Sequence, residues 1–268
     1  MAAPILSKKS VCIVTGATRG LGRSIALSFS KSLPSGSLLI LLSRNIGLLN
    51  EVVSSIHQRD GIRAVAAAYD QGSRDENTFD SLISHCMGKA EALPDEFEQS
   101  ILINNAGTLE PIDFMRDLDN TAEMSNYFQI NLVGCLALTA KFLQFFKSSV
   151  TSPRIRIIVN ISSLAAISPM NSWGLYCMAK AARDMMLKVL ASEEENIRTL
   201  NYAPGPLPTD MLTTASEKTK DLDLKKWFEE QIAQKTLVDC DDSTRKLMAI
   251  LDKNTFENGS HVDYYDEI

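Results

Sequence analysis

Six times along this chain an unbroken apolar run gives way to a stretch with helical periodicity. The runs are "VCIVTG" (11–16), "SLLILLSR" (37–44), "AVAAAYD" (64–70), "ILINNAG" (101–107), "RIRIIVNISS" (154–163) and "IRTLNYAPG" (197–205). Each is apolar throughout rather than alternating, which predicts strands buried on both faces. Helices are predicted after the glycines that follow the first run, then around 47–59, 73–90, 119–148 and 173–194. Beyond the sixth run come charged helical sequence at about 216–234, a helix at about 241–252 and a short last strand in "GSHVDYYD" (259–266). Strands alternating with helices from end to end predict a parallel sheet covered on both faces. The fold class is therefore α/β, a single doubly wound Rossmann-type domain over residues 1–268, with no linker, repeat or low-complexity break. The polar stretch "GKAEALPDEFEQS" (88–100) reads as a surface excursion.

Composition narrows the function. A formal net charge of −6 makes the chain a poor candidate for wrapping nucleic acid. The cysteines (Cys12, Cys86, Cys135, Cys177, Cys240) are odd in number and scattered, without C-x-x-C, and the histidines His57, His85 and His261 show no ligand spacing. That argues against a disulfide framework and against a metal site, and fits a reducing compartment. The start "MAAPILSKKS" has too short an apolar run for a signal peptide, and no run of about 18 apolar residues occurs, so the expectation is a cytoplasmic protein that spans no membrane.

The turn after the first run is "TGATRGLG", which places Gly16, Gly20 and Gly22 between a buried strand and a helix. Glycines there let backbone approach a pyrophosphate, and the helix N-terminus favours its charge. Thr18, Arg19 and Leu21 belong to the same loop. At the end of the second strand an acid would bind the ribose 2′-hydroxyl of NAD; this chain has Arg44 and Asn45 instead. Arg44 can pair with a 2′-phosphate, with Arg19 as a second cation, which points to NADPH/NADP. Asp70, with Gln71 beside it, can accept from the adenine amino group, and Asn105, Ala106 and Gly107 end the fourth strand where such sheets bind ligands.

The chemistry centres on "YCMAK" (176–180). Tyr176 and Lys180 lie four residues apart, so they share a helix face. A cation near a phenol is expected to lower its pKa, and a phenol so tuned can donate a proton to a carbonyl oxygen as hydride arrives. Lys180 can also hold ribose hydroxyls. Ser163, thirteen residues before Tyr176, can hold the substrate carbonyl, and the Asn131 amide can tie Lys180 to a water.

"TGATRGLG", "NNAG", Asn131, Ser163 and "YCMAK" together resemble the short-chain dehydrogenase/reductase family. The resemblance implies an Asn-Ser-Tyr-Lys catalytic set, a seven-stranded parallel sheet and a homodimer formed by the helices around 119–148 and 173–194. It also implies that Pro204, Gly205, Leu207, Thr209 and Met211 hold the nicotinamide. A narrower likeness runs over about residues 10–266 and rests on "NISSL", "GLYCMAKAARDMML", "NYAPGPLPTDM", "LVDC" and "GSHVDYYD". It points to the branch of the family that reduces side-chain carbonyls of pterins. In that branch an aspartate, here Asp263, anchors the pterin, and Leu164, Trp173, Cys177, Gly205 and Met211 line the pocket with Ser163 and Tyr176. Pro208 and Met170 depart from that branch's pattern and put substrate preference in doubt. The segment 206–236 is expected to cover the substrate. Two other readings stand: a broader carbonyl reductase of the same family, and an NADPH-binding protein without turnover.

Overall fold

A computed structural model describes residues 3–58, 61–148 and 154–267. Among these, seven parallel strands form one sheet: β1 (Ser10–Thr15), β2 (Leu38–Ser43), β3 (Arg63–Ala68), β4 (Gln99–Asn104), β5 (Ile155–Ile161), β6 (Ile197–Ala203) and β7 (His261–Asp263). Their order is β3-β2-β1-β4-β5-β6-β7. The direction of winding reverses between β1 and β4, which opens a crevice at the carboxyl ends of these two strands.

The apolar runs bury two layers. On one face Val14, Leu39, Leu41, Ile103 and Val159 pack with Ile25 and Phe29 of α1 (Gly20–Ser32), Leu49 and Val52 of α2 (Ile46–His57) and, from the far end of the chain, Leu247 and Leu251. On the other face Ile13, Ile40, Leu102 and Ile158 pack against later helices. Where the sequence predicts one helix over 73–90, the chain makes a single turn, α3 (Asn77–Asp80), and then α4 (Leu82–Lys89). The predicted helix at 47–59 ends at His57, its last position lying outside the described residues. The stretch 88–100 is not wholly a surface excursion: Phe97 is buried and β4 already begins at Gln99.

The predicted helix at 119–148 is one helical run with a fault in it. α5 (Thr121–Phe128) passes through a π-turn (Gln129–Val133) into α6 (Gly134–Phe145). The cause is Gln71, whose Nε2 donates to Ile130 O at 2.7 Å and takes that carbonyl out of the ordinary ladder. Gly134 permits the approach, since a Cβ there would stand 1.8 Å from Gln71 O. The run Thr121–Phe145 is long and apolar enough, by length and composition, to cross a membrane, with a mean hydropathy of 1.3. Polar residues interrupt it, so it contains no run of about 18 contiguous apolar residues. Leu138 and Phe142 nonetheless pack it into the core beside the sheet.

The chain closes with α7 (Gly174–Glu193), α8 (Asp210–Lys218), α9 (Leu222–Gln234) and α10 (Cys240–Lys253). The charged helical sequence expected over 216–234 holds the end of α8 and the whole of α9. Asp221 caps α9 by accepting from Leu224 N at 2.9 Å.

Candidate active site

The crevice is built first from backbone. Thr15 ends β1, and its Oγ1 accepts from Asn105 N and Ala106 N, each at 2.9 Å, which straps β1 to the end of β4. Asn105 Nδ2 donates to Thr15 O at 2.8 Å, so this side chain holds the glycine loop rather than reaching outward. Gly16 and Gly20 have φ of +67° and +53°, a region that favours glycine. Gly22 has no room for a side chain, because a Cβ would lie 2.3 Å from Gly16 O. α1 then starts at Gly20 with no side-chain cap on its first turn, so its leading N–H groups stay open to an anion.

Around this cradle the sequence-predicted residues divide. Arg44 is exposed at the end of β2 with no carboxylate beside it in sequence. Asn45 caps α2, its Oδ1 accepting from Leu48 N at 3.1 Å. Arg19 forms an ion pair with Asp210 of α8, across the mouth of the crevice. Asp70 accepts from Gly72 N at 2.9 Å and remains exposed. The buried Gln71 side chain donates to Ala106 O (3.1 Å) and Ile130 O and braces the crevice wall from behind, which leaves its backbone as the part that faces a cofactor. The uncapped helix, the glycine cradle and the cation at the end of β2 fit a dinucleotide.

The catalytic candidates come together one strand further on. Ser163 follows β5, and α7 crosses it with Tyr176 and Lys180 facing inward, 7% and 6% exposed. Lys180 Nζ donates to Ile161 O at 2.6 Å and stands 5.4 Å from the centroid of the Tyr176 ring. Asn131 lies in the π-turn, where its Oδ1 accepts from Thr108 N at 2.9 Å and its Nδ2 donates to Tyr127 O at 3.2 Å.

The electrostatics correct one expectation. Burial raises the Tyr176 phenol to about 12, and a hydrogen bond from Ser163 and the charge of Arg183 oppose this without overcoming it. Burial also lowers the Lys180 amine to about 7, helped by the nearby Arg183. Spacing alone suggested a lysine cation drawing the tyrosine down. In the folded chain desolvation acts on both groups and pushes each toward its neutral form. The tyrosine therefore holds its proton at neutral pH, as a proton donor must.

Arg183 was invisible to motif reading. It is 1% exposed, and its guanidinium donates to Asn104 O (2.5 Å) and Ala106 O (3.2 Å), which fastens α7 to the end of β4. A buried position three residues after Lys180 on a predicted helix was the available signal.

Two helices cover the site. Met211 of α8 brings its sulfur to 3.9 Å from the Tyr176 hydroxyl. Trp173 stacks on Phe228 of α9, centroids 5.2 Å apart and 11° between planes, and meets Tyr176 edge-on at 5.5 Å. Its Nε1 donates to Thr219 Oγ1 at 3.0 Å, so Trp173 is a bolt between cover and site more than an open pocket wall. Lys218 pairs with Glu110 at 2.5 Å on the rim. Leu164 is exposed. Cys177 and Met170 line an open cavity of about 470 Å³ with Phe114, Met115 and Pro169. Asp263 ends β7 in register with Ala203, and Tyr264 beside it reaches Gly205, so this carboxylate stands on the same carboxyl edge as Ser163. Its Oδ1 accepts from Tyr265 N at 3.0 Å. Among the described residues no cluster of His, Cys, Asp or Glu forms a metal site.

Comparison with known proteins agrees with this layout. The family model for short chain dehydrogenases matches residues 10–220. Sepiapterin reductase of Rattus norvegicus is 40% identical over 261 residues, covering 96% of this chain and 97% of that protein. Benzil reductase ((S)-benzoin forming) of Bacillus subtilis (strain 168) is 29% identical over 256 residues, covering 94% and 96%. The crystal structure of the KRED1-Pglu enzyme matches with a TM-score of 0.78 at 25% identity, covering 94% of this chain and all of that one. The chain belongs to the short-chain dehydrogenase/reductase family and is an oxidoreductase that acts between carbonyl and alcohol on a small molecule with a nicotinamide cofactor.

Proposed function

We propose that the protein reduces the side-chain carbonyl of a pterin with NADPH, in the manner of a sepiapterin reductase and so in tetrahydrobiopterin biosynthesis. The observation that carries this reading is the Asp263 carboxylate at the end of β7, on the edge that also holds Ser163 and Tyr176. A carboxylate there can accept paired hydrogen bonds from the 2-amino and ring N–H groups of a pterin, as it would from a guanidinium. The similarity to sepiapterin reductase over nearly the whole chain supports it.

Bound NADPH supplies the hydride. Arg44, exposed at the end of β2, favours a 2′-phosphate over a free 2′-hydroxyl, and Arg19 of the glycine loop, paired here with Asp210, is the second cation. Ser163 orients the carbonyl oxygen by donating a hydrogen bond. Tyr176, kept protonated by burial, gives its proton to the oxygen as charge develops there. Lys180 and Asn131 hold the ribose side and the proton supply. Trp173, Met211 and the segment 206–236 cover the site and exclude water. The apolar faces left on the two long helices, Val133 and Leu136 on one and Met185 and Val189 on the other, fit a homodimer. The cysteines are all unbridged, which suits a cytosolic protein.

A second reading, reduction of apolar diketones, is favoured by the likeness to benzil reductase and by the Met170–Met115 cavity. The Asp263→Ala variant tests between them. Sepiapterin turnover, kcat/KM, should fall at least about tenfold more than turnover of a small diketone, because the lost bonds join two charged or polar partners. Equal loss on both removes the anchor role. A wild-type protein that reduces the diketone but not sepiapterin establishes the second reading.

A further inference from the structure

Beneath the catalytic residues lies a buried carboxylate that no step above uses. Tyr176, Lys180 and Asp184 follow one another at intervals of four, so they form a single stripe along α7. Each meets one of three consecutive residues at the end of β5. Lys180 holds Ile161 through its carbonyl, Tyr176 feels the Ser163 hydroxyl, and Asp184 takes Ser162 between them.

Asp184 is 5% exposed and fully engaged. Its Oδ1 accepts from Ser162 Oγ at 2.6 Å and from Asn160 Nδ2 at 3.0 Å. Its Oδ2 meets His261 Nδ1 at 2.6 Å. A carboxylate only accepts, so the His261 ring carries its proton on Nδ1. Asn160 also donates to Asn201 Oδ1 at 2.9 Å, and Asn201 Nδ2 returns to Asp184 O at 3.3 Å. One side chain therefore collects donors from β5 and β7, with β6 tied in through Asn201. A carboxylate placed at this depth is costly without such partners. A well-packed apolar residue would hold the same strands together. What the carboxylate adds is direction: the Ser162 hydroxyl has one strong acceptor and hence one orientation.

We propose that Asp184, held by His261, is a positioning residue that sets the Ser163 hydroxyl for catalysis through Ser162. It touches neither substrate nor cofactor. Its effect runs through one peptide link: Asp184 holds the Ser162 side chain against α7, which fixes the backbone from which the next residue, Ser163, meets Tyr176 on the same helix while its Oγ accepts from Ala165 N at 3.1 Å. The inference rests on the assigned role of Ser163 and is independent of which carbonyl compound is reduced.

The test is a double-mutant cycle in the full-length protein, with NADPH and a small diketone as substrates. Asp184→Asn keeps the volume and removes the charge. Ser162→Ala, a milder change, deletes one bond of the network and serves if Asp184→Asn does not fold. Each should lower kcat about tenfold or more while the KM for NADPH stays within about twofold, since a small misplacement of a catalytic group is expensive in rate. In a Ser163→Ala background the same change should cost little further, because the group it positions is gone. A loss of equal size in both backgrounds, or a parallel loss of NADPH affinity, means a merely structural role and overturns the proposal. Wild-type kcat in Ser163→Ala overturns the reading of the site itself, and this proposal with it.

Discussion

The two halves of the crevice are made of different material. The half formed by β1, α1 and the end of β4 is largely backbone: glycines, open N–H groups and strand ends. The half formed by β5, α7, the covering helices and β7 is side chains: Tyr176, Lys180, Arg183, Asp184, Trp173, Asp263. A phosphate needs donors and close approach, which any backbone offers once side chains are removed. A proton transfer needs one group with the right pKa at one place, which only a packed side chain provides. The two halves should therefore fail differently when altered.

Tyr176→Phe should show the largest effect. It deletes one oxygen and should lower kcat about 10³-fold, with NADPH affinity nearly unchanged, as single-turnover rates and cofactor titration will check. Comparable losses in both would mean that the chemistry half also builds the cofactor cradle.

Lys180→Met comes next, read as stability. In the unfolded chain the amine keeps its proton to about 10.5, whereas in the fold it is lost near 7. Between these values the unfolded state binds more protons, so stability rises with pH across that window. The buried charge costs most below pH 7. Thermal melts should show the variant more stable than wild type at pH 6, by on the order of 2–3 kcal/mol, with the gain shrinking toward pH 10. A gain that does not change with pH would remove burial as the cause.

Gly22→Ala puts one methyl group against Gly16 O and Asn105 Nδ2, at 2.3 Å and 2.5 Å. The expected outcome is about 1–3 kcal/mol of stability lost. Isothermal titration should also show weaker NADPH binding, as the cradle opens. In the chemistry half, an added methyl at exposed Leu164 has no such effect. Smallest is Arg44→Ala, which should raise the KM for NADPH about tenfold and leave the KM for NADH alone, consistent with one exposed charge-assisted contact. Equal changes for both cofactors would move 2′-phosphate recognition elsewhere.

The same contrast governs what could be read in advance. The glycine loop, "NNAG", Ser163 and the Tyr176–Lys180 pair are local patterns, and the structure brings them to one edge of the sheet. The π-turn holding Asn131 was not legible. It arises because Gln71, some sixty residues earlier, reaches Ile130 O across the crevice wall. The direction of the Tyr176 shift was misread for a related reason: spacing shows a neighbouring charge, but the degree of burial is a property of the whole packed site.

By itself, then, the sequence determined the parallel α/β sheet and singled out the candidate reacting groups. Both rest on short-range rules: apolar runs that must be buried on both faces, glycines that admit close backbone approach, and residues four apart that share a helix face. Only the tertiary structure decided how those groups are tuned and held. It put Arg183 under the pair, placed Asp184 and His261 behind Ser162, and laid Phe228 on Trp173. Desolvation and buried hydrogen bonding depend on which distant segments come together, and no local pattern records that.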